Sequence, residues 1–299
     1  MTIELNFPPR PLDGHKGTFG SVCIVGGNRS EDGAVMLGAP ALAANGAMRS
    51  GCGKAILAMP QPLLLAGLSM APTSTGIELP VDEVGRLMPS PSIEAIDSHA
   101  SGCRCFALGP GLGCDWPQQQ LVATLLSRDD RPIVLDADGL NSLALLESGH
   151  LELRAPVILT PHIGEYRRLA KSMNIDIDPE HQSAAAEALA QAYGCVVVLK
   201  SANTTVSDGV TTVEVDCGGV VLASGGSGDV LTGIIAGLLA QYGVDCGKNL
   251  IDAALLGVHV HARAGQIFEA TNGNRGLIAT DLLERVPEAI SSLIKDSNG

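Results

Sequence analysis

Apolar positions along the chain gather in short runs that end in turn residues, and longer Ala- and Leu-rich stretches separate them. Ser21–Val25 is the first such run, closed by Gly26-Gly27-Asn28. Ala34–Arg49, rich in Ala, Leu and Met, predicts a buried helix. Further strands are predicted at Lys54–Met59, stopped by Pro60, and at Cys105–Leu108, stopped by Gly109-Pro110-Gly111-Leu112-Gly113. Ile133–Asp136 and Val157–Thr160 follow, and Cys195–Lys200 is the clearest, with β-favouring positions running into a lysine. Thr204–Ser207, Asp208-Gly209 and Thr212–Val215 then predict a hairpin with a primed turn. Helices are predicted at Asp229–Gln241, Leu250–Phe268 and Ile278–Ile294. Strands alternating with helices predict a mainly parallel sheet covered on both faces, an α/β fold built as a three-layer α/β/α sandwich. No linker-like stretch or internal repeat breaks that order, so a single domain over residues 1–299 is expected.

The composition narrows the classes. Of 299 residues 45% are apolar and 17% charged, enough for a large core and contrary to disorder. Aromatic residues make up only 3%, and Trp116 is the one tryptophan. Basic residues number 19 against 32 acidic, a formal net charge of −13, which excludes a broad basic surface for nucleic acid or an anionic membrane. A phosphate would have to be held locally, by backbone amides and placed cations. No apolar run approaches the roughly 20 residues that span a bilayer. Residues 1–16 are polar and Pro-rich, without a signal-peptide core, so a cytoplasmic location is expected. The cysteines Cys23, Cys52, Cys103, Cys105, Cys114, Cys195, Cys217 and Cys246 show no CxxC spacing. They read as reduced thiols, not a disulfide framework or a zinc site, with a redox role for the CxC pair Cys103 and Cys105 as the alternative.

The segments that can carry chemistry lie where strands end. Ala223-Ser224-Gly225-Gly226-Ser227-Gly228-Asp229 runs from small residues straight into a helix, whose free N–H groups and dipole would hold an anion. Asp229, in the first turn, is placed to act as a base; the alternative is a plain Gly-rich turn with Asp229 as a helix-start residue. Gly109–Gly113 would let a ligand approach the main chain, or is a simple strand-to-helix turn; it is neither a dinucleotide fingerprint nor a Walker loop. Thr160-Pro161-His162-Ile163-Gly164-Glu165 offers His162 as a hydrogen-bonding group or a structural one. Asp136–Asn141 carries two carboxylates and an amide, with Asp138 a candidate cap. Lys200-Ser201-Ala202-Asn203-Thr204 puts a cation and small polar residues at another strand end, suited to a nucleotide. His259 and His261, two apart on a helix, face different ways and are not a metal pair; no resident metal site is expected. In a parallel sheet such strand ends share one edge, so a common crevice is the default site.

Taken together, these motifs resemble one family. Val25-Gly26-Gly27, Gly38-Ala39-Pro40-Ala41-Leu42-Ala43, Leu108–Gly113, Leu135–Asn141, Leu159–Glu165, Val198–Thr204 and Gly226–Gly233 follow the order of the ADP-dependent NAD(P)H-hydrate dehydratases, from about Gly14 to Pro287. That resemblance implies a ribokinase-like fold and a repair reaction. The S form of hydrated NADH or NADPH would lose water to regenerate the reduced ring, with ADP as co-substrate giving AMP and phosphate. It also implies that Ala39, Gly111, His162 and Asp229 contact the hydrated dinucleotide. Lys200, Ser201, Ala202, Asn203, Thr204 and Gly228 would contact the adenine nucleotide. Asp229 would be the catalytic base, and Gly225, Gly226, Ser227 and Gly228 an anion hole. Magnesium is expected with the nucleotide. A homotetramer, and a separate epimerase as functional partner, are further expectations, since no fused epimerase length precedes residue 14. Two departures stand out: Ile163 where the family has proline, and Cys217–Leu222 in place of an Asn-containing stretch. The rival readings are a ribokinase-like kinase of a vitamin precursor or sugar, and a catalytically silent nucleotide-binding regulator.

Overall fold

A computed structural model describes residues 5–146, 153–216, 219–243 and 246–298; Cys217 and Gly218, in the departing stretch, lie outside them. In chain order the first half comprises β1 (Ser21–Val25), β2 (Asn28–Arg29), β3 (Val35–Met36), α1 (Gly38–Arg49) and β4 (Lys54–Pro60). It continues with α2 (Gln61–Met70), β5 (Thr75–Leu79), α3 (Pro89–Ala100), β6 (Cys105–Leu108) and α4 (Trp116–Leu126). Next come β7 (Ile133–Leu135), α5 (Asp138–Leu145), β8 (Val157–Leu159), α6 (Ile163–Ser172), α7 (Gln182–Tyr193) and β9 (Val196–Leu199). The chain ends with the hairpin β10 (Asn203–Ser207) and β11 (Thr212–Asp216), then α8 (Ser227–Gln241), α9 (Leu250–Asn272) and α10 (Ala279–Asn298).

Among the described residues one sheet has nine strands in the order β11-β10-β9-β8-β7-β6-β1-β4-β5. Every pairing from β9 to β5 is parallel, and the β10–β11 hairpin closes one edge antiparallel. Side chains on β1 alternate between two buried clusters: Cys23 and Val25 face one helical layer, Val22 and Ile24 the other. A strand buried on both faces is what a parallel sheet between two helical layers requires. The three-layer sandwich is therefore as expected. The strand order reverses between β1 and β6, and a crevice opens at such a switch point, outside the carboxyl ends of the strands. No helix among the described residues is long and apolar enough to cross a membrane.

Helix α8 is buried along nearly all its length and crosses α1 closely. A Cβ on Gly233 would lie 2.0 Å from the Ala43 carbonyl oxygen, so only glycine permits that approach. This contact fixes where the α8 N-terminus points.

Local differences from expectation have identifiable causes. The helix expected from Ala34 begins at Gly38, because the Pro40 ring would strike the carbonyl of Met36 in a longer helix. Val35 and Met36 pair instead with Arg29 and Asn28 as a small ribbon. The hairpin turn is centred one residue later: the Asp208 amide donates to the Thr211 oxygen (3.2 Å), and Asp208 Oδ1 accepts from Val210 and Thr211. Helix α8 starts two residues early, at Ser227, because Gly226 supplies a left-handed cap (φ 87°). Cys103 and Cys105 are buried free thiols whose pKa burial pushes up, against the redox alternative.

Candidate active site

Asp136 and Thr160 are the first residues beyond the paired ends Leu135 and Leu159, and Lys200 sits just past β9, level with His162. Their side chains converge. Asp136 is 2% exposed. Its Oδ1 accepts from Thr160 Oγ1 (2.8 Å) and Lys200 Nζ (2.8 Å), and its Oδ2 from Thr232 Oγ1 of α8 (2.7 Å). Burial pushes the carboxyl up, but the Lys200 ammonium and the two hydroxyls outweigh it and hold Asp136 below the usual carboxylate range. Burial likewise disfavours the Lys200 charge, and Asp136 and Glu165 more than restore it. A Cβ on Gly228 would lie 3.2 Å from Lys200 Nζ, so the ammonium stands at the entrance to the α8 N-terminus.

That terminus is shaped by its own neighbours. His261, buried on α9, places Nε2 3.0 Å from both the hydroxyl and the carbonyl of Ser227. Burial pushes its pKa down to about 4, so it is a neutral anchor at pH 7. The Ser227 amide donates to the Ser224 oxygen (3.3 Å) and that of Val230 to Gly226 (3.1 Å). Among the described residues the amides of Gly228 and Asp229 have no protein acceptor. Of the segment expected to hold an anion, Ser227 N–H is taken within the loop, while the amide of Asp229 beside it stands free. No atom lies within 4 Å of where a Cβ on Gly225 would project.

The Asp229 carboxylate makes no hydrogen bond among the described residues and caps nothing. Burial first, and then the charge of Asp136, push its pKa up to about 7, against the pull of Lys200. His162 is the N-cap of α6: its Nδ1 accepts from the amides of Gly164 (2.9 Å) and Glu165 (3.3 Å), and Glu165 Oε2 accepts from the His162 amide (2.8 Å). The cap occupies Nδ1, which leaves the proton of the neutral ring on Nε2. Burial lowers the His162 pKa, and Lys200 adds to that. Glu165, 5% exposed, is pushed by burial up to about 7.

Across the switch point, Gly27 N–H donates to the Pro110 oxygen (3.0 Å), joining the loops after β1 and β6. Ala39 stands beside Gly111: a Cβ on Gly111 would lie 3.5 Å from that of Ala39. Asp138 is not the α5 cap; its Oδ2 accepts from Gly113 N (2.9 Å) and its Oδ1 from Asn141 Nδ2 (3.2 Å). Between the two carboxylates Ala137 has φ 50°, a strained conformation that aims Asp136 inward and Asp138 at the glycine loop. Lys200 thus lies both beside Gly228 at the α8 terminus and level with His162, and Ala39 lies beside Gly111 at the switch point. Ser201 and Ala202 form the bend into β10, and Asn203 and Thr204 begin that strand; no described contact links them to the α8 terminus. Sequence reasoning missed the Thr160–Asp136–Thr232 tie, the His261 anchor and the Glu165 half of the capping box. Thr232 did lie inside GSGDVLTG, and the S/T-x-x-E type of spacing from His162 to Glu165 was the signal for the box.

A family model described as NAD(P)H-hydrate dehydratase matches residues 22–288. A curated relative, the ADP-dependent (S)-NAD(P)H-hydrate dehydratase of Neisseria meningitidis, is 35% identical over 92% of this chain and 86% of that one. A solved structure, the ADP/ATP-dependent NAD(P)H-hydrate dehydratase of Bacillus subtilis co-crystallized with ATP/Mg2+, superposes with TM-score 0.74 at 27% identity, covering 96% of this chain and 94% of the other. A ribokinase-like superfamily protein of Enterococcus faecalis shares the fold with TM-score 0.77 at 24% identity, over 96% and 92% of the two chains. Other curated relatives are named bifunctional NAD(P)H-hydrate repair enzymes, and the chain spans about half their length, 50% and 52% in two of them.

Proposed function

Since the chain belongs to the NAD(P)H-hydrate dehydratase family, of ribokinase-like fold, we propose that it dehydrates the S form of hydrated NADH or NADPH at the expense of ADP. The observation that carries this reading is the pairing of an unbonded Asp229, pushed up to about 7, with the free amides of Gly228 and Asp229 and the Lys200 ammonium. An acid with a pKa near neutrality is suited to take a hydroxyl proton, and the amides and ammonium to hold a phosphoryl group. In the balanced reaction Asp229 accepts the ring hydroxyl proton and the oxygen attacks the β-phosphorus of ADP, releasing AMP. The ring nitrogen then expels phosphate, and loss of a proton from the neighbouring carbon restores the double bond. His162 Nε2–H, which faces Glu165 Oε1 at 3.4 Å, would turn to the dinucleotide as a neutral donor, and the wall at Ala39 and Gly111 sets how deep the ring sits. Lys200 and Gly228 seat the nucleotide phosphates, with Ser201–Thr204 at its outer side.

Magnesium would neutralise phosphate charge. Among the described residues no three His, Cys, Asp or Glu side chains form a group that could hold a metal ion, and Asp136 already accepts from Thr160, Lys200 and Thr232. The residues therefore suit an ion carried by the nucleotide, which needs one or two carboxylates and water, and Asp229 is the side chain free to meet it. A homotetramer, a cytoplasmic location and a partnering epimerase belong to the same proposal; the bifunctional names of the longer relatives support the last.

The deciding assay offers each hydrated cofactor with ADP or ATP. The reading expects return of the reduced-nicotinamide absorbance with stoichiometric AMP and phosphate from ADP. Transfer of the ATP γ-phosphate to a stable acceptor would favour the kinase rival, and ADP binding without turnover the silent regulator. Gly225→Ala sharpens the site assignment. Its Cβ meets no protein atom within 4 Å, so the melting temperature should hold to within about 2 °C, the shift of a surface change. Nucleotide affinity should fall at least tenfold, since the methyl occupies space meant for phosphate. A variant with native affinity removes Gly225 from the site.

A further inference from the structure

Two cavities of about 460 and 510 Å³ flank the β2–β3 ribbon, outside the site described above, and share Arg29, Glu31, Gly85 and Arg86. Trp116 walls the second of them and is 67% exposed, although it is the chain's sole tryptophan in a protein with only 3% aromatic residues. The ribbon abuts the reaction crevice. Asn28 fills the space over Gly113, and Met36 covers Gly111. Trp116 follows Gly111 by five residues, so the two Cα atoms lie within roughly 18 Å. On the dehydratase reading, the remainder of a dinucleotide has to be accommodated outside the crevice once its ring is at Asp229. Gly111 walls the crevice on the side where the ribbon cavities lie, and each of these concave surfaces is of a size that suits a nucleotide.

We infer that these cavities receive the adenosine half of the hydrated dinucleotide, Trp116 stacking on the purine while Arg29 and Arg86 take the phosphate on its ribose. Arg29 has no side-chain hydrogen bond or ion pair among the described residues. Arg86 holds Glu31 at 2.9 Å, but with 61% and 76% of the two side chains exposed that pair is weak and is readily exchanged for a phosphate. Two guanidinium forks match the oxygens of one terminal phosphate better than they match a hydroxyl. An exposed indole is a stacking platform for any base. The arrangement therefore selects the hydrate of NADPH over that of NADH, a preference that no acid or arginine fingerprint in the sequence reveals.

Because Trp116 is the sole tryptophan, its fluorescence reports on the cavity directly. The full chain is titrated with NADP+, NAD+, nicotinamide mononucleotide and 2′,5′-ADP. NADP+ should quench Trp116 with a Kd at least fivefold below that of NAD+, and nicotinamide mononucleotide should not quench. The double variant Arg29→Ala/Arg86→Ala should bind NADP+ at least tenfold more weakly, erase the preference and leave ADP affinity and melting temperature unchanged. Its KM for NADPH hydrate should rise by a similar factor with kcat within twofold, as for an interaction equal in ground and transition states. NADP+ binding without quenching, or native NADP+ affinity in the double variant, overturns the inference while hydrate turnover keeps the dehydratase reading. Binding of 2′,5′-ADP as tight as that of NADP+ also overturns it, marking an independent nucleotide site. Quenching with the expected preference but no hydrate turnover supports the adenosine site and sinks the activity.

Discussion

Asp229→Asn is expected to lower turnover about 10²–10⁴-fold, the usual cost of losing a positioned base, and at the same time to raise the melting temperature at pH 8. The two effects have one cause. Burial and the neighbouring Asp136 lift the native pKa to about 7, against 3.8 for an unperturbed aspartate. Between those values the folded chain holds a proton that the unfolded chain has released, so stability falls as pH rises through that window and stays lowered above it. Asparagine removes the penalty, worth on the order of 2 kcal/mol for a carboxylate that water still reaches on one side. Below about pH 3, under the unperturbed value, both states are protonated and wild type and variant should melt alike. The wild-type kcat/KM should rise with pH through about 7 as the base ionises, a limb the variant lacks. Glu165 titrates in the same range, so any residual limb in the variant is that of Glu165 and the difference between the two profiles is the Asp229 component. Nucleotide affinity should hold, because the amides of Gly228 and Asp229 are main chain. The competing role, a first-turn acid favoured by the helix dipole at about 1 kcal/mol, predicts the opposite sign in melting temperature. Thermal scans at about pH 3 and at pH 8 beside a turnover assay decide between them. A variant that melts lower and turns over normally makes Asp229 a helix-start residue.

The fold was legible because a parallel sheet buried on both faces needs apolar runs with sharp ends, and the chain marks those ends with Gly, Pro and Asp. What the pattern misplaced came from interactions it does not encode. Apolar content from Ala34 onward looked helical, but the Pro40 ring forbids the earlier turn. Thr75–Leu79 alternates between exposed and buried positions at the sheet edge and gave too short a signal to be read as β5. In the site, the residues that carry charge could be picked out as strand-end types, yet their partners could not. Asp136 and Thr232 are 96 residues apart, and only the crossing of α8 over the strand ends makes them neighbours. Conversely, the stretch Lys200–Thr204 drew attention by composition, while the geometry puts only Lys200 of that segment against the α8 terminus.

The Asp136→Asn substitution is expected to destabilise the fold by about 3–5 kcal/mol, the cost of breaking a buried ion pair from one side. Asp136 is the one acceptor shared by Thr160, Lys200 and Thr232, and so it ties the ends of β7, β8 and β9 to α8. An amide has one acceptor oxygen where the carboxylate has two, and its NH2 would face the Lys200 ammonium, or Thr232 if flipped. The charge of Lys200 would then be buried without its partner, its side chain being 18% exposed. For a domain of this size a loss of that order lowers the melting temperature by roughly 10 °C. Lys200→Met should cost less stability, since both Asp136 hydroxyl donors remain, but should weaken nucleotide binding at least tenfold by removing the cation beside Gly228. The double variant Asp136→Asn/Lys200→Met should be more stable than Asp136→Asn by itself, because the unpaired charge has gone, while its nucleotide binding stays lost. Asp136 also sets the acid limit. Its native pKa lies below the ordinary carboxylate value, so its contribution is complete above that value and is lost as pH falls through the native pKa; wild type should lose stability in acid more steeply than the double variant. Denaturant midpoints for the four proteins at pH 7 and pH 4 measure the cycle. If the two single losses simply add in the double variant, the pair is not coupled and Asp136 does not hold Lys200 in place for the phosphate.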